Sequence, residues 1–238
     1  MKISAPKPFG VFLGILCSFC LMITFLITSV EAVAYWTPGY YEREYTKYGV
    51  ADTVHMNMDD LLEVTDEMMA YLRGKRADLH VETVVAGQPR EFFNAREIAH
   101  MEDVRGLFIG ALALRRICLA AAAVSVFLLF ALKASVRRLL PRALMAGAGI
   151  FLLITAGLAA LISTDFTKYF VIFHHIFFDN DLWILDPRTD LLINIVPEPF
   201  FMDTAVRIGA VFAAMTALLF LVCAILIRRE KAHGAHRL

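Results

Sequence analysis

Seven histidines, four cysteines and 23 acidic residues are the groups in this chain able to move protons, act as nucleophiles or hold a metal. Two settings stand out. His100 lies three residues ahead of Asp103, a spacing that puts both on one face of a helix, where the carboxylate would orient or charge-stabilise the imidazole. His174 and His175 are adjacent within FTKYFVIFHHIFFDNDLW (166–183). Helical neighbours point about 100° apart, so at most one of these two is expected to meet His100. Imidazoles titrate near neutral pH, and two of them converging would supply a general base and a general acid. The bland reading of a lone His-x-x-Asp is a surface pair. His100, His174, His175 and the nearby aspartates also suit a metal-dependent hydrolase, although no ligand pair has a recognised zinc spacing. The sequence has no Gly-x-Ser-x-Gly elbow, phosphate loop, dinucleotide fingerprint or His-Glu-x-x-His. Cys17, Cys20, Cys118 and Cys223 all fall in apolar runs, where a thiolate is disfavoured, and make neither a disulfide framework nor a zinc ribbon. His55 and His80 read as surface residues, and His233 and His236 as part of a solvated basic tail near anionic lipid.

The elements that must position these groups are dictated by composition. The chain is 59% hydrophobic and 19% charged, with a mean hydropathy of +0.63, which is the composition of a membrane protein. Its 23 Lys+Arg cancel its 23 Asp+Glu, so no basic field for nucleic acid exists and charge is informative only by segment. Four spans are expected at 9–30, 107–132, 143–163 and 205–227, each long enough to cross a hydrocarbon core of about 30 Å. Lys2 and Lys7 before the first run and Ala32-Val33-Ala34 after it resemble a signal peptide. An apolar signal core is about 7 to 15 residues long, however, and this run exceeds that, so it reads as a retained anchor. Arg115 and Arg116 fall inside the second expected span. A central charge costs about 2.5 to 3.5 kcal/mol there, so both should snorkel to an interface or face the bundle.

Basic residues set the expected orientation. Lys2 and Lys7 (1–8), Lys133, Arg137, Arg138 and Arg142 (loop 133–142), and Arg228, Arg229, Lys231 and Arg237 (tail 228–238) face only Glu230. The acidic 164–204 segment carries just Lys168 and Arg188. By the positive-inside rule both termini and the 133–142 loop are cytoplasmic, and 31–106 and 164–204 lie outside. The expected fold class is therefore mostly α: a four-transmembrane-helix bundle with a small extracytoplasmic cap.

Within 31–106, Tyr35, Trp36, Tyr40, Tyr41, Tyr45 and Tyr48 have the composition of an interfacial aromatic belt. Residues 57–73 should form a short amphipathic helix ending at Gly74, with Met68 and Met69 in a core. Residues 80–93 alternate weakly around Ala86-Gly87-Gln88, as in a small hairpin. Asn94 three before Glu97 is a capping-box variant opening a helix through His100. The 164–204 segment is too apolar for a solvated loop, while Pro187, Pro197 and Pro199 break any long helix, which places it at the outer interface. These residues alone permit three readings: an acid/base enzyme acting on a lipid-borne substrate, a metal-dependent membrane hydrolase, or a non-enzymatic sensor or assembly protein.

Three stretches carry a resemblance: Glu97-Ile-Ala-His100-Met101-Glu102-Asp103-Val104-Arg105, then Phe173-His174-His175-Ile176-Phe177-Phe178-Asp179-Asn180-Asp181-Leu182-Trp183, then Asp186-Pro187-Arg188-Thr189-Asp190. In this order and on four spans they resemble the bacterial lipoprotein intramolecular transacylase family, Lit, over nearly the whole chain. The resemblance implies an acyltransferase of the bacterial cytoplasmic membrane with two catalytic histidines at the junction of cap and membrane. On this sequence they are His100 and, by the Phe-His-x-Ile-Phe-Phe pattern, His174, with His175 on the variable position. Asp103, His175, Trp183, Asp186 and Asp190 would support them. It further implies diacylated lipoproteins as substrates and lipid as surroundings, with no cofactor and no metal. The reaction moves the sn-2 acyl chain of an S-diacylglyceryl cysteine to the α-amine of the same cysteine, leaving a lyso form.

The chemistry suits the residues. An α-amine with a pKa of about 7.7 to 8.0 is substantially protonated at neutral pH, so one histidine must take a proton before nitrogen attacks the ester. The other stabilises the oxyanion or protonates the departing glyceryl oxygen. The residue types leave open which does which. Attack within one molecule makes proximity the main task, and aromatic walls that exclude water suppress hydrolysis.

Overall fold

The computed structural model describes residues 8–132 and 135–235. Lys2, Lys7, Lys133, His236 and Arg237 lie outside the described residues, as does the side chain of His233. The elements in chain order are α1 (Pro8–Trp36), α2 (Tyr40–Tyr48), α3 (Val50–Thr53), α4 (Met58–Leu72), β1 (Glu82–Val85), β2 (Gln88–Glu91), α5 (Ala95–Ala131), α6 (Val136–Ile162), α7 (Phe166–Phe177), α8 (Leu192–Ile195) and α9 (Glu198–Ala235). The fold is mostly α, and among the described residues α1, α5, α6 and α9 are long and apolar enough to cross a membrane.

Each of these four helices outruns the apolar stretch that announced it. Helix α5 starts at Ala95 rather than at 107, α6 starts at Val136 inside the stretch read as a loop, and α9 covers Glu198–Ala235 rather than 205–227. Capping and backbone pairing end a helix, whereas hydropathy marks only the part suited to lipid. Pro199 does not break α9. It is the second residue of that helix, where its missing N–H had no intrahelical partner to lose. Pro187 and Pro197 do fall between helices.

The chain divides into two compact units. One contains the described residues of Met1–Ser29, Ala113–Asp165 and Gly209–Leu238. Here α1 and α6 approach closely through small residues: a Cβ on Gly147 would lie 2.6 Å from that of Ser18, and one on Gly14 would lie 2.6 Å from that of Ala143. Ser18 Oγ donates to the Leu144 carbonyl at 2.8 Å across this contact. Cys17, Cys20, Cys118 and Cys223, all unbridged, share one buried cluster with Ala122 and Leu144. Arg142 pairs with Glu230 at 2.9 Å. Arg115 is half-buried and Arg116 exposed.

The other unit comprises Val30–Leu112 and Phe166–Ile208. Asn57 caps α4 by accepting from Asp60 N at 2.8 Å, and Leu61, Val64, Met68, Met69 and Leu72 turn inward, so both methionines are core residues. The hairpin pairs Val85 with Gln88 around a two-residue turn, Ala86 (φ 52°) and Gly87 (φ 74°). Positive φ at both central positions is the turn whose twist matches paired strands. Tyr40 and Tyr45 are buried, and together with Tyr41 they pack around Phe200 of α9 at 5.9 to 6.2 Å. Tyr45 Oη bonds Thr65 Oγ1 at 2.7 Å, so a hydroxyl that would prefer water is satisfied inside the unit.

Candidate active site

All the geometry of the site lies within the second unit, and it begins at the start of α5. Asn94 Oδ1 accepts from the backbone N–H groups of Arg96 (2.9 Å) and Glu97 (3.1 Å), and Glu97 Oε2 accepts from Asn94 N at 2.7 Å, a reciprocal cap. Glu97 is nevertheless 1% exposed, because its second oxygen accepts from Leu192 N, at the start of α8, at 2.6 Å. Burial pushes its carboxyl above the ordinary carboxylate range, against the pull of those N–H donors. Asn94 Nδ2 in turn donates to Asp190 Oδ1 at 2.8 Å. Asp190 also accepts from Asp186 N (2.7 Å) and Thr189 Oγ1 (3.1 Å). Burial raises the Asp190 carboxyl, but these donors outweigh it and hold the group below its usual value. A single cap thus fixes both the first turn of α5 and the segment that follows α7.

One turn beyond Glu97, His100 is 7% exposed and lies ahead of the apolar stretch of α5 that begins at 107. On α7, His174 is 6% exposed while His175 is exposed, which is the divergence that helical geometry requires of neighbours. The His100 and His174 rings have centroids 6.1 Å apart, inclined at 36°. Phe178 sits 5.5 Å from each of them, Phe170 is 4.1 Å from His174, and Trp183 stacks on His174 at 4.7 Å and 30°. Burial pushes His100 down to about 4, assisted by the neighbouring His174 and opposed by Asp103. Burial lowers His174 as well, partly offset by its bond to Phe170. Both shifts favour the neutral imidazole over the imidazolium.

Their protonation is partly written in the bonding. His174 Nδ1 lies 2.7 Å from the Phe170 carbonyl oxygen. A carbonyl only accepts, so Nδ1 carries the proton and Nε2 holds the lone pair. His100 Nδ1 is buried without a protein partner, and so is Trp183 Nε1.

The residues expected to support the pair separate into two groups. Trp183 stacks on His174, and Asp190 is held in the Asn94 cap. Asp103 does not hydrogen-bond His100, despite sharing its helical face. Its Oδ2 accepts from Asn180 Nδ2 at 2.9 Å, so it acts on the imidazole through space. His175 only touches the edge of Trp183, at 5.2 Å. The Asp186 carboxylate pairs with Arg188 at 2.6 Å at the surface, which holds its carboxyl down at about 2; only its backbone joins the Asp190 network, its N–H donating to the Asp190 carboxylate at 2.7 Å and its carbonyl accepting from Asp190 N at 2.8 Å. Among the described residues, no three His, Cys, Asp or Glu side chains are grouped to hold a metal ion.

Sequence reasoning missed three buried anchors. It read Glu97 as a cap and not as the clasp on Leu192. It passed over the Glu31–Arg73 pair at 2.7 Å, whose guanidinium also covers Tyr35, and the Glu44–Arg207 pair at 2.9 Å. A signal existed for two of these: Glu31 directly follows the first apolar run and Arg207 sits inside the last expected span, positions where an unpaired charge is costly.

A family model described as lipoprotein intramolecular transacylase Lit matches residues 15–201. No match was found among curated proteins. Among solved structures, the membrane integral lipoprotein intramolecular transacylase Lit from Bacillus cereus superposes with a TM-score of 0.78 at 21% identity, over 94% of this chain and 98% of that one. Two variants of the same Bacillus cereus protein, each with one histidine replaced, superpose with TM-scores of 0.76 and 0.77 at 21% identity, over 94% of this chain and 96% and 94% of theirs.

Proposed function

Because the chain belongs to the lipoprotein intramolecular transacylase family, Lit, we propose that His100 and His174 carry out its reaction. The reaction transfers the sn-2 acyl chain of an S-diacylglyceryl cysteine to the α-amine of that cysteine, yielding the N-acyl, S-monoacylglyceryl lyso form. The observation that carries the reading is the approach of two buried imidazoles from α5 and α7 to 6.1 Å.

His174 is the base. Its Nδ1–H is committed to Phe170 O, so Nε2 takes a proton from the substrate's ammonium and releases it to solvent, then takes the second proton from the nitrogen once that nitrogen has bonded to carbon and passes this one to the departing glyceryl oxygen. His100 is the complement. An imidazole held well below its ordinary pKa stays neutral beside a protonated His174 and donates its N–H toward the ester oxygen as negative charge develops there. Phe170, Phe178 and Trp183 around the rings keep water from competing with the amine. The nucleophile and the ester belong to one substrate, so no enzyme nucleophile and no cofactor are needed, and binding acts mainly by bringing them together.

The four apolar helices hold the protein in the bacterial cytoplasmic membrane as a multi-pass protein. Both termini are cytoplasmic and the site faces the extracytoplasmic side, a reading supported by the Arg-rich 137–142 and 228–229 stretches against the acidic 164–204 segment. Its partners are diacylated lipoproteins and the surrounding lipid.

The test is to express His100→Gln and His174→Gln in cells whose lipoproteins are otherwise diacylated and to fragment the N-terminal lipopeptides by mass spectrometry. The wild-type chain yields the lyso form and each variant yields diacylated peptide. Undiminished lyso product from either variant removes that residue from the mechanism.

A further inference from the structure

An indole is a hydrogen-bond donor and never an acceptor, so a buried Nε1–H is normally seen bonded to a carbonyl, a carboxylate or a hydroxyl. Trp183 Nε1 is buried and has no protein partner, while acceptors on the segments around the histidine pair are engaged by other donors. Asp103 Oδ2 takes Asn180, Asp190 takes Asn94, Thr189 and Asp186 N, and the Phe170 carbonyl takes His174. The indole is not loosely placed either. It stacks on the His174 imidazole at 4.7 Å and 30°, and its other contact is the edge of His175 at 5.2 Å.

An indole stacked face-on at that separation holds its N–H in a layer directly beside the imidazole. An acceptor bonded to Nε1 would therefore sit next to the base. The substrate has one acceptor that must come there, the carbonyl oxygen of the ester whose carbon is attacked by the amine that His174 deprotonates.

We propose that Trp183 Nε1–H is an oxyanion donor of this enzyme, acting on the sn-2 ester carbonyl together with His100. When the amine nitrogen bonds to the carbonyl carbon, the C=O π pair moves onto oxygen and the indole N–H meets the full negative charge. The nitrogen, which now carries one proton too many, gives it to His174; when the intermediate collapses, the carbonyl re-forms, the bond to the glyceryl oxygen breaks, and that oxygen takes this proton from His174. The indole gives up no proton at any stage. Such a donor gains most in the transition state, so its loss lowers kcat more than it raises KM. This inference rests on the His100–His174 reading above.

The experiment uses the full chain in lipid or detergent and two readouts. In the first, Trp183→Phe keeps an aromatic ring against His174 and removes the N–H. It should lower kcat for a synthetic diacylglyceryl-cysteine peptide by about 10²- to 10³-fold with KM little changed, the loss typical of removing one oxyanion donor. In the second, the indole nitrogens of the wild-type chain are labelled with nitrogen-15. With only two tryptophans, the spectrum has two indole signals, and Trp36→Phe assigns them. Adding a diacylglyceryl-cysteine analogue whose sn-2 ester is an alkylphosphonate, at concentrations that inhibit turnover, should move the Trp183 proton downfield and leave the Trp36 signal in place. A Trp183 signal that does not move under those conditions overturns the proposal, even if Trp183→Phe fails to fold. A well-folded Trp183→Phe with wild-type kcat overturns it equally. In both cases inactive His100→Gln and His174→Gln variants leave the histidine pair standing. Active ones bring down the pair itself.

Discussion

In the unit built from Met1–Ser29, Ala113–Asp165 and Gly209–Leu238, the buried polar side chains are Ser18, Thr24, Ser29, Ser125 and Thr216, with four thiols beside them. In the unit of Val30–Leu112 and Phe166–Ile208 they are Glu31, Glu44, Thr65, Glu97, His100, His174 and Asp190. All but one of the hydroxyls of the first solve their problem locally, the exception being Ser18, which donates to the Leu144 carbonyl. Thr24, Ser29, Ser125 and Thr216 each donate to the carbonyl four residues earlier on their own helix. The buried carboxylates of the second instead take partners from elsewhere in the chain, although the Nδ1–H of His174 is satisfied within α7. Glu97 reaches Leu192, Glu44 reaches Arg207 and Asp190 reaches Asn94, each a partner from elsewhere in the chain. A buried charge demands a specific partner and so specifies a unique arrangement, whereas a self-satisfied hydroxyl demands only a helix. The second unit is therefore where positions are fixed finely enough for chemistry, and the first is where composition suffices.

That contrast can be broken most violently at the histidines. His174→Gln should cost about 10²- to 10⁴-fold in turnover, the range of a positioned general base. Replacing all four cysteines with alanine should leave turnover per folded molecule unchanged, and a loss in the cysteine variant would move the chemistry into the apolar unit. The pH dependence sharpens the same point. Burial holds both imidazoles below their ordinary value of about 6.5. A base with a lowered pKa keeps its lone pair to lower pH, so the acid limb of kcat should fall below pH 6.5 as the histidines finally protonate. A limb at or above 7 in a pH–rate profile would mean that the site is open to water.

Smaller effects should appear in stability. Glu97→Gln leaves one acceptor where two N–H groups need one each, and thermal unfolding in detergent should register about 2 kcal/mol. Thr216→Val removes a hydroxyl whose acceptor is already part of a helix, and should cost under about 1 kcal/mol. Equal losses would erase the distinction between the two units. Smallest of all, His175→Gln and Asp186→Asn change exposed side chains and should stay within about 0.5 kcal/mol by the same measurement.

The legibility of the sequence followed the same division. The four apolar helices could be read from hydropathy, because lipid-compatible length is a one-dimensional property. Most other helix ends could not, since the early start of α6 and the tolerance of Pro199 in the first turn of α9 depend on local backbone pairing rather than on hydropathy. The capping box at Asn94 was visible, but its second purpose, the bond from Glu97 to Leu192, joins residues far apart in sequence and leaves no periodic trace. His174 was preferred to His175 only by resemblance, whereas the structure separates them by burial. Asp103 shows the opposite failure: helical spacing put it on the face of His100, yet Asn180 claimed its carboxylate. The orphaned indole N–H of Trp183 is a property of three-dimensional crowding alone.

The most direct test of the central claim is a single-turnover reaction of the purified full chain with a synthetic diacylglyceryl-cysteine lipopeptide whose sn-2 acyl chain is isotopically labelled, mixed with an unlabelled lipopeptide of different peptide mass. The account predicts that the label ends as an amide on the α-nitrogen of the molecule that carried it, without crossover, and that His100→Gln and His174→Gln leave it on the glyceryl oxygen. Label released as free fatty acid, label on the other peptide, or unimpaired transfer by either variant would contradict it.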